Sequence, residues 1–162
     1  MHLLAVLQAM ALMTVANGVP VVAKKIFGTR FGWPLDAGLV FLDGHPLLGA
    51  SKTIRGVVLS IVVTTAAAPL LGLSPAIGAL VAATAMAGDL VSSFVKRRLA
   101  MKPSSRALGL DQIPESLFPL LACRAALSLT IADIAFGVAL FLVGEIVLSR
   151  LLYRIHLRDE PY

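Results

Sequence analysis

The chain has 162 residues, 58% of them hydrophobic and only 14% charged, and its mean hydropathy is +0.90. A water-soluble domain carries about a quarter charged residues, so this balance excludes an ordinary soluble domain and points to one integral membrane unit, 1–162. Aromatic residues make up only 6%, which favours closely packed helices over a barrel with aromatic girdles.

Five apolar segments follow one another, long and unalternating as helices are. The first runs from about His2 to Ala23 and is interrupted by "ANGVP" at Ala16–Pro20, so a broken helix is expected. The second and third cover about Val57–Leu73 and Pro75–Val95. The fourth, Ile113–Leu129, is poorer, and the fifth is Ile131–Ile155. A spanning helix needs about 20 residues, which makes the second and fourth marginal, either tilted or locally broken. The fold expected is therefore all-α and polytopic, with about five transmembrane helices and two long cytoplasmic loops forming a polar cleft.

The cations lie in the gaps between these runs. Lys24, Lys25, Arg30, Lys52 and Arg55 fall around the first long connection, and Lys96, Arg97, Arg98, Lys102 and Arg106 around the second. Arg154 and Arg158 begin the tail. By the positive-inside rule both loops and the C-terminus face the cytoplasm of a cell (inner) membrane, with the N-terminus outside. The formal charge of +5 then reflects topology and anionic ligands, and no nucleic-acid partner is expected. Trp33 and Tyr153 read as interface anchors. Cys123 has no second cysteine to pair with and reads as a small core residue.

In the first loop, "GASKTIRG" brings Gly49, Lys52, Thr53, Arg55 and Gly56 to the mouth of the second helix. Backbone N–H groups at a helix start, with a lysine and a hydroxyl, suit phosphate. The plainer reading is a solvated basic loop that sets topology. The spacing is not that of a Walker A loop. In "GDLVSSFVKRR", Asp89, Ser92, Ser93, Lys96 and Arg97 share one helix face. An aspartate deep in a bilayer costs about 2.5–3.5 kcal/mol, so it needs a cation. A divalent metal holding phosphate oxygens and an Asp–Arg lock between helices both meet that need. Asp111 stands before the fourth segment, where it would either cap that helix or share a metal with Asp89. Arg124 is expected either to sit near the far side or to pair with Asp133, and Asp133 and Glu145 serve either helix packing or the lining of a lipid cleft. The three histidines, His2, His45 and His156, are scattered, with no nucleophile beside them.

"ANGVPV", "PLDAG", "LDGHPLLGASKTIRG", "GDLVSSFVKRRL" and "LDQIPESL" occur in the order and spacing of the CDP-archaeol synthase family, which the chain resembles from Ala16 to about Leu120. The resemblance implies transfer of CMP from CTP to a lipid phosphate, with Mg²⁺ required. It implies that Lys52, Thr53, Arg55 and Gly56 hold the CTP phosphates and that Asp89 and Asp111 bind magnesium, Lys52 and the two aspartates being catalytic. Ser92, Ser93, Lys96, Arg97, Arg98 and Gln112 would bind triphosphate or lipid phosphate, and Asn17 would line the cleft. Ile54 and His45 stand where tryptophan and arginine are common in that family, and "PESLFPL" departs from its archaeal form. These differences bear on the lipid more than on the CTP chemistry. The alternative from a different class is a small membrane transporter or assembly protein without catalysis.

Overall fold

The computed structural model describes residues 2–102, 105 and 107–154, the stretch 148–154 by its backbone alone. Arg106, the Tyr153 side chain and the tail with His156 and Arg158 lie outside the described residues. Among the described residues five α-helices follow in order: α1 Leu3–Phe27, α2 Ile54–Ala67, α3 Pro75–Arg98, α4 Gln112–Ala122 and α5 Ile131–Arg154. No strand occurs among the described residues; two isolated bridges, Pro34 with Thr53 and Val40 with Pro46, pin the α1–α2 loop. α1, α3 and α2 with its 3-10 continuation Ala68–Leu71 are each long and apolar enough to cross a membrane.

The expected break in the first segment is absent: α1 runs unbroken through Asn17 and Pro20. Proline has no N–H for the carbonyl of residue i−4, which here is Ala16. The Ser60 hydroxyl of α2 donates to that Ala16 oxygen at 2.7 Å, in the buried interface between the two helices. Gly56 packs on the Pro20 ring, where an added Cβ would come within 3.3 Å of Pro20 Cβ. The helix therefore survives its proline because α2 supplies the missing donor, as neighbours do in lipid.

The fourth segment is shorter than its apolar run. α4 has 11 residues, about 17 Å at 1.5 Å per residue, against about 30 Å of hydrocarbon. It stops at Ala122, and turns lead from there to α5. Arg124 does not reach Asp133; its Nε donates to the Leu129 carbonyl at 3.4 Å. Asp133 instead accepts from the Thr130 N–H (3.0 Å) and hydroxyl (2.7 Å) and from the His2 N–H (2.9 Å), with His2 Nδ1 at 3.1 Å. This knot ties the start of α1 to the start of α5.

The core joins Val6, Leu12 and Met13 of α1, Val81 of α3, Leu120 of α4 and Phe141 of α5, with Cys123 buried among them. A second cluster of Ala16, Ala82 and Ala85 lets α1 and α3 approach closely. Gly88 brings α3 against the start of α4, where an added Cβ would meet the Pro114 carbonyl oxygen at 2.3 Å. Both long connections therefore gather at one end of the bundle, opposite the His2–Asp133 knot.

Candidate active site

The α1–α2 loop is shaped by Asp36, which is buried and accepts the N–H groups of Gly38 (3.0 Å), Leu48 (2.8 Å) and Gly49 (3.0 Å). Burial pushes the Asp36 carboxyl up, but these backbone donors outweigh it and hold it below the usual carboxylate range. Gly49 sits at φ +94°, a conformation that side chains resist. Thr53 then caps α2, its hydroxyl accepting the Gly56 N–H at 3.1 Å. Lys52, one residue earlier, is delivered across to α3.

There the Lys52 ammonium meets both oxygens of Asp89 at 2.6 Å. Two turns further along α3, Lys96 Nζ stands 2.6 Å from Asp111 Oδ1 and donates to the Ser105 carbonyl at 2.9 Å. The contact to Asp111 is off the line of a hydrogen bond, and Oδ1 is buried without a donor among the described residues. Asp111 Oδ2 takes the Ala107 N–H at 3.1 Å. Asp111 precedes α4 in the N-cap position, yet its side chain caps no N–H of that helix.

The candidate residues divide by what they touch. Lys52, Asp89, Lys96 and Asp111 form the two ion pairs. Ser92 and Ser93 are buried on the same face, and the Ser92 hydroxyl donates to the Asp89 carbonyl at 2.9 Å. Arg97 is 3% exposed and gives Nη2 to the Lys102 carbonyl, while its Nε and Nη1 are buried with no acceptor among the described residues. Arg98 is committed to the loop: Nε is 3.1 Å from Asp43 Oδ2, and Nη2 donates to the Pro46 carbonyl at 2.7 Å. Its guanidinium stacks between Phe41 and Phe94, 4.5 and 4.8 Å from the ring centroids. Gln112 turns toward the loop, its Oε1 accepting the Gly109 N–H at 2.7 Å. Thr53, Arg55 and Gly56 lie along the α1–α2 contact rather than against the two ion pairs. Asn17 Nδ2 is buried without an acceptor among the described residues.

Sequence reasoning passed over Glu115. It is buried in the first turn of α4, close to Asp89 and Lys52 and to Glu145 of α5. The signal was available, since a glutamate inside a short apolar helix has to be explained by a partner. A second carboxyl group thus stands beside the Lys52–Asp89 pair.

That donor set fits a divalent cation. Carboxylate outnumbers ammonium around Lys52, and Asp111 Oδ1 has the Lys96 ammonium at 2.6 Å but no hydrogen-bond donor among the described residues. Among the described residues no three acidic, histidine or cysteine side chains enclose a metal by themselves. Mg²⁺ is commonly held by one or two carboxylates together with substrate phosphates, which is compatible with that arrangement. Unpartnered guanidinium N–H groups beside it are suited to phosphate oxygens.

A helical bundle whose outer faces are apolar and whose charge is gathered at one end is an integral membrane protein. The CarS-like CDP-archaeol synthase family matches residues 2–77 and 71–162. A CDP-archaeol synthase of Pyrobaculum calidifontis is 34% identical over 157 residues, 91% of each chain. One from Sulfurisphaera tokodaii is 31% identical over 154 residues, 91% of this chain and 89% of the relative. The fold superposes with a TM-score of 0.71 on a solved intramembrane enzyme for archaeal membrane lipids biosynthesis. That enzyme is 28% identical, with 85% of this chain and 90% of the other covered. The chain belongs to the CDP-archaeol synthase family.

Proposed function

We propose that this protein transfers CMP from CTP to a lipid phosphate, yielding a CDP-activated lipid and pyrophosphate at the end of the bundle where α3 meets α4. The observation that carries the reading is the pair of lysine–aspartate contacts beside the Arg97 guanidinium, whose Nε and Nη1 have no acceptor among the described residues, in a chain of the synthase family. A transferase needs charge placed where phosphates gather, not a covalent nucleophile.

An oxygen of the lipid phosphate attacks the α-phosphorus of CTP. The new P–O bond forms as the bond to the bridging oxygen breaks, and the electron pair leaves on pyrophosphate. Asp89 and Asp111 would hold Mg²⁺, which neutralises charge between reactants that otherwise repel. Lysine has three donors on one flexible stem. Lys52 can therefore keep one N–H on Asp89, and Lys96 its ion pair with Asp111, while turning other N–H groups toward phosphate oxygens. Arg97 offers Nε and Nη1, already desolvated and aimed, to the triphosphate or the lipid headgroup. Ser92 and Ser93 keep the α3 wall polar and narrow.

The distribution of cations supports an orientation with this end in the cytoplasm and His2 outside. Lys24, Lys25, Lys52, Lys96, Arg97 and Arg98 all lie at the site end. On this reading α5, 24 residues long, also crosses the bilayer, and α4 lies within the bundle. The test is incubation of the purified protein with labelled CTP, Mg²⁺ and a panel of ester- and ether-linked lipid phosphates. A CDP-lipid and stoichiometric pyrophosphate are expected; no product from any member of the panel would overturn the reading.

A further inference from the structure

Between α1 and α2 runs a groove of about 410 Å³, lined only by apolar groups, among them Gly18, Val22 and Phe27 of α1 and Leu59 and Val63 of α2. Its volume is within the usual range of ligand sites, about 300–1,000 Å³. Within a bilayer, apolarity by itself selects nothing, because lipid tails are as apolar as the lining. What distinguishes this groove is its polar end. Arg55 precedes Leu59 and Val63 at i, i+4 and i+8, so all three lie along one face of α2. The Arg55 guanidinium lies 5.7 Å from the ring centroid of Phe27, a lining residue. Its Nη1 donates to the Gly28 carbonyl at 3.2 Å and to the Arg30 carbonyl, which fixes the group in place. Its Nε is buried with no acceptor among the described residues.

We propose that this groove receives a hydrocarbon chain of the lipid phosphate substrate and that Arg55 faces the headgroup phosphate. The proposal rests on the function argued above and gives Arg55 to the lipid rather than to CTP. An apolar trough ending under a fixed cation matches an amphiphile with an anionic head. It matches a zwitterionic or neutral bulk lipid less well. The head end also lies near the nucleotide. Lys52, three residues before Arg55, contacts Asp89 of α3, while every Arg55 contact named here is to the end of α1 or the turn after it. A chain seated in the groove thus delivers its phosphate within one helical turn of the lysine proposed to hold CTP. Gly18 completes the fit, since a Cβ added there meets nothing within 4 Å and would project into open space. A chain can therefore lie against the α1 backbone.

Gly18 makes the test clean, because a side chain there fills the groove without colliding with the protein. Wild type, Gly18→Ala and Gly18→Leu are compared in nanodiscs on the lipid phosphate that wild type turns over best, in long-chain and short-chain forms. Arg55→Gln is measured alongside. The groove predicts that KM for the long-chain substrate rises about tenfold in Gly18→Leu and less in Gly18→Ala. The preference for long over short chains falls in step, while KM for CTP stays at the wild-type value. Arg55→Gln raises KM for both chain lengths and leaves KM for CTP alone. If KM for lipid is unchanged in Gly18→Leu, the groove holds only bulk lipid and the proposal fails. It also fails if both substrates' KM values rise together, since that marks general distortion. Failure of wild type to transfer CMP to any lipid phosphate would instead remove the functional reading itself.

Discussion

Two aspartates at opposite ends of the bundle, Asp133 buried and Asp89 half-buried, have been satisfied in different ways. Asp133 is saturated by fixed donors: the Thr130 N–H and hydroxyl and the His2 N–H all point at it, with the His2 ring alongside. Among the described residues the Asp89 carboxyl has only the tip of a long lysine as donor, and Glu115 stands close to both. The arginines of α3 differ too, since Arg98 stacks between two rings and pairs with Asp43 while Arg97 has no carboxylate partner among the described residues, although both keep Nε and Nη1 short of a hydrogen-bond acceptor there. Fixed, saturated polar groups hold a fold together. Groups held by a swinging ammonium, or left short of partners, are ready to exchange those contacts for a ligand.

The largest effect should come from breaking the underused end. Asp89→Asn is expected to cut CMP transfer about a thousandfold or more, with the elution profile and helical circular dichroism retained. Asp133→Asn, the matched change at the saturated end, should do the reverse: a lower melting temperature with kcat preserved. Next comes Gly88→Val. A Cβ there runs into the Pro114 backbone, so α3 and α4 must part, at about 1–3 kcal/mol of stability and with lost turnover. Lys52→Ala should raise KM for CTP about tenfold while changing KM for lipid little. Asp36→Asn should speed amide exchange in the loop around Leu48 and Gly49 about tenfold at neutral pH. Because the folded Asp36 carboxyl lies below its usual range, its contribution is present above the ordinary carboxylate pKa. It is lost as pH falls through the lowered value, so wild type and variant should converge in acid. The smallest change is Ser60→Ala, which strands the Ala16 carbonyl and should cost about 0.6 kcal/mol, as polar contacts between membrane helices do.

Much of the site end was legible because its residues are neighbours in sequence. Asp89, Ser92, Ser93, Lys96 and Arg97 share a helix face by spacing alone, and Lys52 precedes a helix start that its own motif marks. What spacing does not encode is the partner across a helix interface. The donor that rescues α1 from Pro20 is Ser60, on another helix and in an unremarkable apolar run. Arg124 and Asp133 looked complementary in charge, but His2, at the far end of the chain, and Thr130 had already filled the aspartate. Arg98 looked like a ligand-binding cation in a basic run, and its placement between Phe41 and Phe94 depends on how the first loop folds back. Glu115 was hidden for a related reason: only the close approach at Gly88 brings the start of α4 against Asp89.

The account rests on the claim that Asp89 and Asp111 act together, through a divalent ion, on the nucleotide. Equilibrium binding of CTP to the purified protein, with Mg²⁺ and with chelator, measures this directly in wild type, Asp89→Asn and Asp111→Asn. The account predicts binding that needs Mg²⁺ in wild type and is lost in both variants while the fold persists. Equally tight, Mg²⁺-dependent binding in both variants would contradict it.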